Sequence, residues 1–389
     1  MSENGDVLWA KRLRLPGVGD EEVAFDEAKS AFAVQALDTN IWVASSRFTV
    51  MKVDQDGDLV WANRYRPADA ALPFAIGPTG LVPMPDGGAL VQYGIEETSK
   101  DGPAILLRID KKGQLLWSKT FQWETAKTYA PVLVADGDEA TLAGYSWAAG
   151  SMKAHVARLR ADGSVAYAKT MRVCDDTRVR PSHGIRLASK AVALVGTYHQ
   201  GPERAFIAQI SPDGASASVG TWSTDDALKD DRTNAIAQLP VTGFLTAGIG
   251  VPIKGTSLLL AHHDAQGVVT SQRELALKDA GGAWDVKTGA LRMTNDGGVL
   301  VFSHATTSAS HAGPSRSGLW ISKLPARTLD APFDPAFVEP GTQAAPMTTC
   351  AIALSPDDFA PADLPFATVD VGPSIVLESL TPSVEKMIP

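Results

Sequence analysis

The sequence is poor in cysteine, in long apolar runs and in positive charge. Its 389 residues include only Cys174 and Cys350, too few for a disulfide-stapled scaffold or a cysteine metal site. No apolar run approaches the roughly 18 to 20 residues that a membrane helix needs. Lys and Arg number 35 against 44 Asp and Glu, a formal charge of −9. A nucleic-acid partner and a membrane span are therefore not expected, because an acidic surface repels phosphate backbones.

The N-terminal residues and the two cysteines bear on the cellular compartment. The opening MSENGDVLWAKRL lacks the basic start, apolar stretch and cleavage site of a secretory signal. We therefore expect a cytoplasmic protein, with an extracytoplasmic location as the alternative if a signal precedes this sequence. Both cysteines are expected to be reduced thiols, and one long-range bridge between them is the alternative.

A stretch of nine residues recurs six times along the chain. The copies are GDVLWAKRL from Gly5, GDLVWANRY from Gly57, GQLLWSKTF from Gly113, GSVAYAKTM from Gly163, GASASVGTW from Gly214 and GVVTSQREL from Gly267. Successive glycines are 52, 56, 50, 51 and 53 residues apart. Such a fixed period indicates a repeat architecture.

Each repeat contains the signals for four short strands. Apolar runs such as residues 48–54 and 104–110 end at a D-x-x-G turn, which leads into the nine-residue copy and so predicts a hairpin. A second turn recurs upstream, at Asp38, Asp86, Asp136, Ser189, Thr242 and Asp296. Four antiparallel strands per period of about 52 residues are typical of a β-propeller blade. The chain is therefore predicted to be all-β, one propeller domain over residues 1–389.

The two ends of the chain decide the expected number of blades. The N-terminus begins with the fourth strand of a blade whose first three strands are missing. The runs MTTCAIALS, FATVDV and PSIVLESL near the C-terminus are strand-like. We predict that they complete a seventh blade with the N-terminal strand and so close the ring. The alternative is six blades, with the N-terminal strand following LWISKL and about 60 C-terminal residues draped outside.

The segments DQDGDLVW (54–61) and DKKGQLLW (110–117) resemble the blades of bacterial β-propeller repeat proteins with the motif D-x-x-G-x-x-x-W. The resemblance covers nearly the whole chain and implies the fold. The motif is also similar to the tryptophan-docking blades of pyrroloquinoline-quinone dehydrogenases. Those enzymes have one more residue between Asp and Gly and a vicinal cysteine pair. This sequence has neither feature, so no quinone and no other cofactor is expected.

Repetition separates structural residues from candidate functional ones. Trp9, Trp61 and Trp117 occupy one blade position and are expected to pack between neighbouring blades. His262 and His263 are adjacent on a strand and point to opposite faces, so they cannot bind one ion together. Nucleophile, zinc-protease and phosphate-loop motifs are absent, which favours a non-enzymatic protein.

The predicted site lies where the first strands of the blades converge on the channel mouth. This places Tyr129, His183, Asn234 and Trp284 together, a mixture of aromatic and polar groups that suits ligand binding. The favoured function is a binding or scaffold module that presents its loop-rich face to a peptide, glycan or protein partner. The alternative is a metal-assisted hydrolase or lyase at the same mouth, with His183 and His304 as metal ligands.

Overall fold

The structure, a computed structural model, describes about two thirds of the chain, in segments separated by gaps. They are residues 11–14, 32–35, 38–45, 48–67, 76–95, 103–123, 127–148, 151–174, 178–199, 203–222, 230–239, 243–251, 257–279, 282–294, 298–307, 317–325, 338–340, 352–356, 362–363, 366–370 and 376–379. Every regular element in these segments is a β-strand. The all-β prediction is confirmed for this part of the chain.

The strands of the repeats follow one another in the chain as expected. They are β1 (Lys11–Arg14), β2 (Phe32–Gln35), β3 (Ile41–Ser45), β4 (Thr49–Val53), β5 (Leu59–Pro67), β6 (Ile76–Pro83), β7 (Ala89–Ile95), β8 (Ala104–Ile109), β9 (Leu115–Phe121), β10 (Lys127–Asp136), β11 (Glu139–Ala148), β12 (Ser151–Leu159), β13 (Val165–Val173), β14 (Val179–Arg186), β15 (Val192–His199), β16 (Glu203–Ile210), β17 (Ala217–Trp222), β18 (Asp230–Gln238), β19 (Phe244–Val251), β20 (Ser257–His263), β21 (Val269–Asp279), β22 (Gly282–Met293), β23 (Gly298–Thr307) and β24 (Ser317–Pro325).

Five short strands follow, and we call residues 338–379, which contain them, the strap. They are β25 (Val338–Pro340), β26 (Ile352–Pro356), β27 (Ala362–Asp363), β28 (Phe366–Asp370) and β29 (Val376–Ser379).

The repeat strands form antiparallel sheets in which sequence neighbours pair. The first five sheets contain β2–β5, β6–β9, β10–β13, β14–β17 and β18–β21, and the sixth contains β22–β24. The fifth and sixth sheets are joined by a short pairing of Lys278 and Asp279 with Ala283 and Gly282. Sheets of four strands in chain order are the blade pattern of β-propellers, so the structure is consistent with a propeller-like fold.

The chain divides into two compact units. The first comprises Met1–Leu142, Arg158–Ala166 and Asp358–Pro389, and the second comprises Ala143–Ala157 and Tyr167–Asp357. In the first unit, a core containing Trp42, Tyr65 and Tyr93 joins the first two sheets. In the second, one core joins the fourth sheet to the fifth, and another joins the fifth to the sixth. Apolar residues on alternating strand positions therefore bury both faces of a sheet between its neighbours.

The predicted D-x-x-G hairpins are present and are stabilised by their own aspartates. Oδ1 of Asp54 accepts hydrogen bonds from the backbone nitrogens of Asp56, at 3.0 Å, and Asp58, at 2.7 Å. Gly57 closes the turn with a φ of 75°, a conformation that glycine adopts without steric cost. These contacts account for the cluster of aspartates around Gly57 as a structural turn.

Ion pairs anchor the other turn in the first three sheets. Lys52 Nζ lies 2.5 Å from Asp38 Oδ2, and Arg108 Nη2 lies 2.7 Å from Asp86 Oδ2. Arg158 bonds both Asp136 and Glu139, the latter at 2.7 Å. Each cation is buried on the third strand and reaches the turn between the first and second. Pairing is needed there because an isolated buried charge would be strongly destabilising.

The strap pairs with outer strands of the repeat sheets, in reverse order. Its strand β25 pairs with β21, β26 with β13, β27 with β9 and β28 with β5, all antiparallel. The fourth strand of a blade otherwise leaves a row of unpaired N–H and C=O groups at its edge. The strap satisfies part of that row in four of the sheets.

The predicted seventh sheet is therefore wrong, although the two terminal strands do pair. MTTCAIALS contributes β26, FATVDV contributes β28 and PSIVLESL contributes β29, but each belongs to a different sheet. The last of them pairs with β1, Lys11 opposite Ser379 and Arg14 opposite Val376. Strands of four or five residues can form a sheet of their own or add to an existing one. Here the fourth strands of the repeat sheets have open edges, and strap strands pair with those edges instead of forming a new sheet.

The expectation of two reduced thiols is also wrong. Cys174 is disulfide-bonded, and Cys350 is the only other cysteine in the sequence. Cys174 directly follows β13, whose last residue Val173 pairs with Ile352 of the strap. The bridge therefore ties the strap to the third sheet beside their shared strand pairing.

Candidate binding site on the first strands of the second unit

The four residues of the predicted site all lie on the first strand of a sheet. Tyr129 is on β10 in the first unit, whereas His183, Asn234 and Trp284 are on β14, β18 and β22 in the second. Tyr129, His183 and Asn234 are each partly exposed. The side chain of Trp284 lies outside the part of the chain that the structure describes. The second unit therefore contributes His183 and Asn234 to a candidate site.

A β-bulge interrupts the first strand in four of the sheets. The pairing register skips one residue in each, namely Thr79, Ser182, Asn234 and Gly289. A bulge leaves one residue without a partner across the ladder and changes the direction of its side chain. Asn234 is the bulged residue of the fifth sheet, so it has no partner across the ladder and its side chain does not follow the alternation of the strand.

His183 occupies a position that is small in the equivalent strands. It directly follows the bulge, and the residues in this place are Gly80, Ala235 and Ala290 in the second, fifth and sixth sheets. A packed sheet interior explains a small side chain there but not an imidazole. The repeat therefore does not explain His183.

Arg292 departs from the repeat in the same way, and the sequence reasoning missed it. It lies two residues after the small post-bulge residue of β22, where the other strands carry Val82, Ile185 and Ala237. Residues two apart on a strand point to the same face, so His183 and Arg292 stand on equivalent faces. Val82, Ile185 and Arg292 each lie four residues before the turn residues Asp86, Ser189 and Asp296, so aligning the repeats on that turn would have found it.

A hydrogen bond between β14 and β18 fixes the two strands beside these residues. Ser182 Oγ, next to His183, donates to the backbone oxygen of Thr233, next to Asn234. It also lies 3.1 Å from the backbone oxygen of Val195 within its own sheet. We call His183, Asn234 and Arg292 the first-strand cluster, since they come from the fourth, fifth and sixth sheets.

Burial and charge keep the imidazole of His183 neutral. Burial first, and then the positive charge of Arg292, lower the pKa of His183 to about 4. Nδ1 of His183 is buried and has no hydrogen-bond partner in the described part of the chain. A neutral imidazole offers one N–H donor and one acceptor nitrogen. At neutral pH this ring can therefore donate a hydrogen bond to a ligand or accept one from it.

The guanidinium of Arg292 is available to a ligand. Its one described hydrogen bond runs from Nη1 to the backbone oxygen of Leu291, at 2.9 Å. The side chain remains open to water, yet the surrounding protein desolvates it enough to lower its pKa. No described carboxylate pairs with it. A guanidinium carries five N–H donors, so most of them are unused.

Other polar residues of the fourth sheet are engaged in structural contacts. Arg180 Nη1 lies 3.0 Å from Glu203 Oε1, and Arg178 Nη2 donates to the backbone oxygen of His199 at 2.9 Å. These arginines therefore bind their own sheet.

Two buried histidines of the second unit have structural roles. Ser146 Oγ lies 2.7 Å from His155 Nε2, the spacing of a nucleophile and its base, but both side chains are almost completely buried. His263 is also buried and contacts Thr246 Oγ1 at 2.9 Å, whereas His262 is partly exposed. The prediction that these adjacent histidines differ in environment is confirmed.

The predicted packing role of the repeated tryptophans is confirmed where it is described. Nε1 of Trp61 donates to the backbone oxygen of Lys111, at 3.4 Å, and Nε1 of Trp117 donates to that of Ala161, at 2.9 Å. Each acceptor lies in the turn between the third and fourth strands of the following repeat. Trp9 lies outside the described residues. These indoles therefore anchor one repeat to the next.

The metal alternative is not decided by the described residues. Among them, no group of three or more His, Cys, Asp or Glu side chains is placed to hold an ion. The backbone of His304 pairs with Lys287 and Leu319, but its imidazole lies outside the description. Nor do the described residues include a helix that could traverse a lipid bilayer.

Comparison with known proteins shows only distant structural likeness. No protein-family model and no curated protein matches the chain. A protein of unknown function from Bacteroides caccae is similar at a TM-score of 0.39 and 13% identity, over 62% of this chain and 80% of its own. The tail fiber of Staphylococcus aureus phage P68 is similar at a TM-score of 0.22 and 8% identity, over 82% and 97%. Likenesses this weak carry no argument about function.

Proposed function

We propose that this protein is a non-enzymatic binding module. The observation that supports it is the first-strand cluster, in which His183 and Arg292 break the repeat and keep polar atoms without partners among the described residues. A buried polar atom without a hydrogen-bond partner, such as Nδ1 of His183, is costly unless water or a ligand satisfies it. The partner is a peptide, glycan or protein that reaches these strands from the loop-rich face.

The proposed architecture is a β-propeller of six blades. Five four-stranded sheets and the three strands β22–β24 support this count. The pairing of the strap with earlier sheets favours the draped C-terminus that the six-bladed alternative requires. In a propeller the first strands line the central channel, so in this proposed architecture the first-strand cluster would lie at that channel.

The disulfide of Cys174 favours the extracytoplasmic alternative for location. Disulfides persist in oxidising compartments and are rare in the cytosol. We place the protein outside the cytoplasm. Alkylation of free thiols in freshly lysed host cells, followed by mass spectrometry, tests this. If Cys174 and Cys350 of the native protein are alkylated, they are reduced thiols and the proposal is contradicted.

The binding function is tested by comparing the natural chain with a variant that restores the repeat. In His183→Ala/Arg292→Val, both positions take residues that equivalent strands carry, so the fold should be preserved. Both proteins are immobilised and exposed to peptide and glycan libraries and to host lysate. Ligands retained by the natural chain and lost from the variant support the proposal. Equal retention by both proteins, or retention of nothing by either, contradicts it.

The metal-assisted alternative has its own test. Stoichiometric Zn, Mn or Ca in the purified protein, lost in both His183→Ala and His304→Ala, would favour it over the binding module. The neutral imidazole of His183 is compatible with this alternative, because a histidine binds a metal ion only through its neutral ring.

A further inference from the structure

We infer that the first-strand cluster binds a carboxylate group of its ligand, with Arg292 as the cationic partner and His183 and Asn234 as hydrogen-bonding groups. The inference rests on the proposed binding function and specifies the chemistry of the ligand. It begins from Arg292, which stands where the equivalent strands carry aliphatic residues and which pairs with no described acid. The side chain is exposed to solvent, and a guanidinium with unused N–H donors binds anions through charge-assisted hydrogen bonds.

The geometry of the guanidinium favours a carboxylate. Its planar fork matches the two oxygens of a carboxylate and can bind both at once. With Nη1 on the Leu291 oxygen, Nε and Nη2 remain for the ligand. These two nitrogens form the edge of the fork that carries parallel N–H groups.

The charge of the cluster favours a single negative charge. His183 is neutral at pH 7, so Arg292 is the only formal positive charge among the three side chains. Phosphate carries nearly two negative charges and generally binds to several cations or to a row of backbone N–H groups. The net charge of −9 further disfavours polyanions.

His183 and Asn234 supply directional contacts beside the cation. Within the described chain, the buried Nδ1 of His183 has no hydrogen-bond partner, and the amide of Asn234 makes no hydrogen bond. The hydrogen bond from Ser182 to Thr233 joins the two strands on which these side chains lie. Such groups suit the hydroxyl or amide that lies next to a carboxylate in a uronic acid or at a peptide C-terminus.

The test is calorimetric titration of the full chain with defined carboxylates. The probes are glucuronate and an N-acetylated tripeptide with a free C-terminus, and their neutral controls are glucose and the tripeptide amide. We expect at least one carboxylate to bind and its neutral counterpart not to bind. The probe that binds distinguishes an acidic sugar from a peptide terminus as the source of the carboxylate.

Three variants connect binding to the cluster. Arg292→Gln removes the charge and should weaken binding by about tenfold or more, as expected for a charged hydrogen bond. His183→Ala, which restores the small residue of the equivalent strands, should weaken it severalfold. Arg172→Gln changes one exposed arginine of β13 and should leave affinity unchanged.

Several outcomes would overturn the inference. They are binding of neither carboxylate, equal binding of carboxylates and their neutral counterparts, or unchanged affinity in Arg292→Gln. If no carboxylate binds but the library screen yields a ligand that the His183→Ala/Arg292→Val variant loses, the carboxylate inference fails and the binding function stands. If both experiments are negative, both proposals fail.

Discussion

The indole nitrogen of Trp117 donates a 2.9 Å hydrogen bond to the backbone oxygen of Ala161, 44 residues further along the chain. A carbon of the same ring would lie 3.2 Å from a Cβ placed on Gly163, so the indole covers the turn closely. Trp61 makes the corresponding contact one repeat earlier. The turn between the third and fourth strands of a repeat therefore serves both its own hairpin and the aromatic residue of the preceding repeat.

Trp117 should stabilise the fold through two separable contributions. Trp117→Phe removes the hydrogen bond and should reduce the free energy of unfolding by about 1 kcal/mol. Trp117→Ala also removes the packing and should cost about 3 kcal/mol. Leu116→Ala, at an exposed neighbour on the opposite strand face, should change stability by less than about 0.5 kcal/mol. Denaturant titration measures all three, and equal effects of Phe and Ala would contradict a packing role.

The turn glycines should differ in their tolerance of a side chain. Gly214 and Gly137 have φ values of 66° and 61°, a region that costs an alanine about 1 to 2 kcal/mol. A Cβ at Gly214 would also lie 2.8 Å from the ring of Tyr167, whereas one at Gly137 would meet nothing within 4 Å. Gly214→Ala should therefore lower the melting temperature more than Gly137→Ala. The reverse order would show that the aromatic contact is unimportant.

Stability should fall as the pH is lowered from 6.5 towards 4, because of buried histidines. Burial lowers the pKa of His263 from 6.5 to about 4, so the unfolded chain takes up a proton in this range before the folded chain does. The stability gained from the neutral ring is present above pH 6.5 and is lost progressively below it, by about 3 kcal/mol in total. His263→Gln should flatten this part of the pH profile in denaturant titrations. An unchanged slope in the variant would mean that other groups cause it.

The disulfide should hold the strap against the third sheet. Reduction, or Cys174→Ser, should accelerate amide hydrogen exchange in residues 352–355 of β26 while leaving β15 and β16 unaffected. Loss of a native disulfide typically costs about 2 to 4 kcal/mol. Adding reductant to Cys174→Ser is the control and should have no further effect. Identical exchange in the oxidised and reduced proteins would show that strand pairing alone retains β26.

The repeat, the strands and their turns followed from the sequence alone. Alternating apolar residues and Asp–Gly turns depend on local backbone preferences, so residues near one another in the chain contain that information. The packing role of Trp61 and Trp117 also followed, since six similar copies identify what each repeat shares. Even the structural aspartates around Gly57 were recognisable from their recurrence.

Only the tertiary structure decided where the strap strands pair, that Cys174 is bridged, and that the charge of Arg292 helps to lower the pKa of His183. Each of these relates residues far apart in the sequence. The sequence of a four-residue strand does not specify which open sheet edge it pairs with. The bulge that aligns His183 with Gly80 and Ala235 is visible only in the pairing register. Long-range pairing and the desolvation of individual side chains arise from the assembled sheets, which is why the repeat pattern alone did not reveal the first-strand cluster.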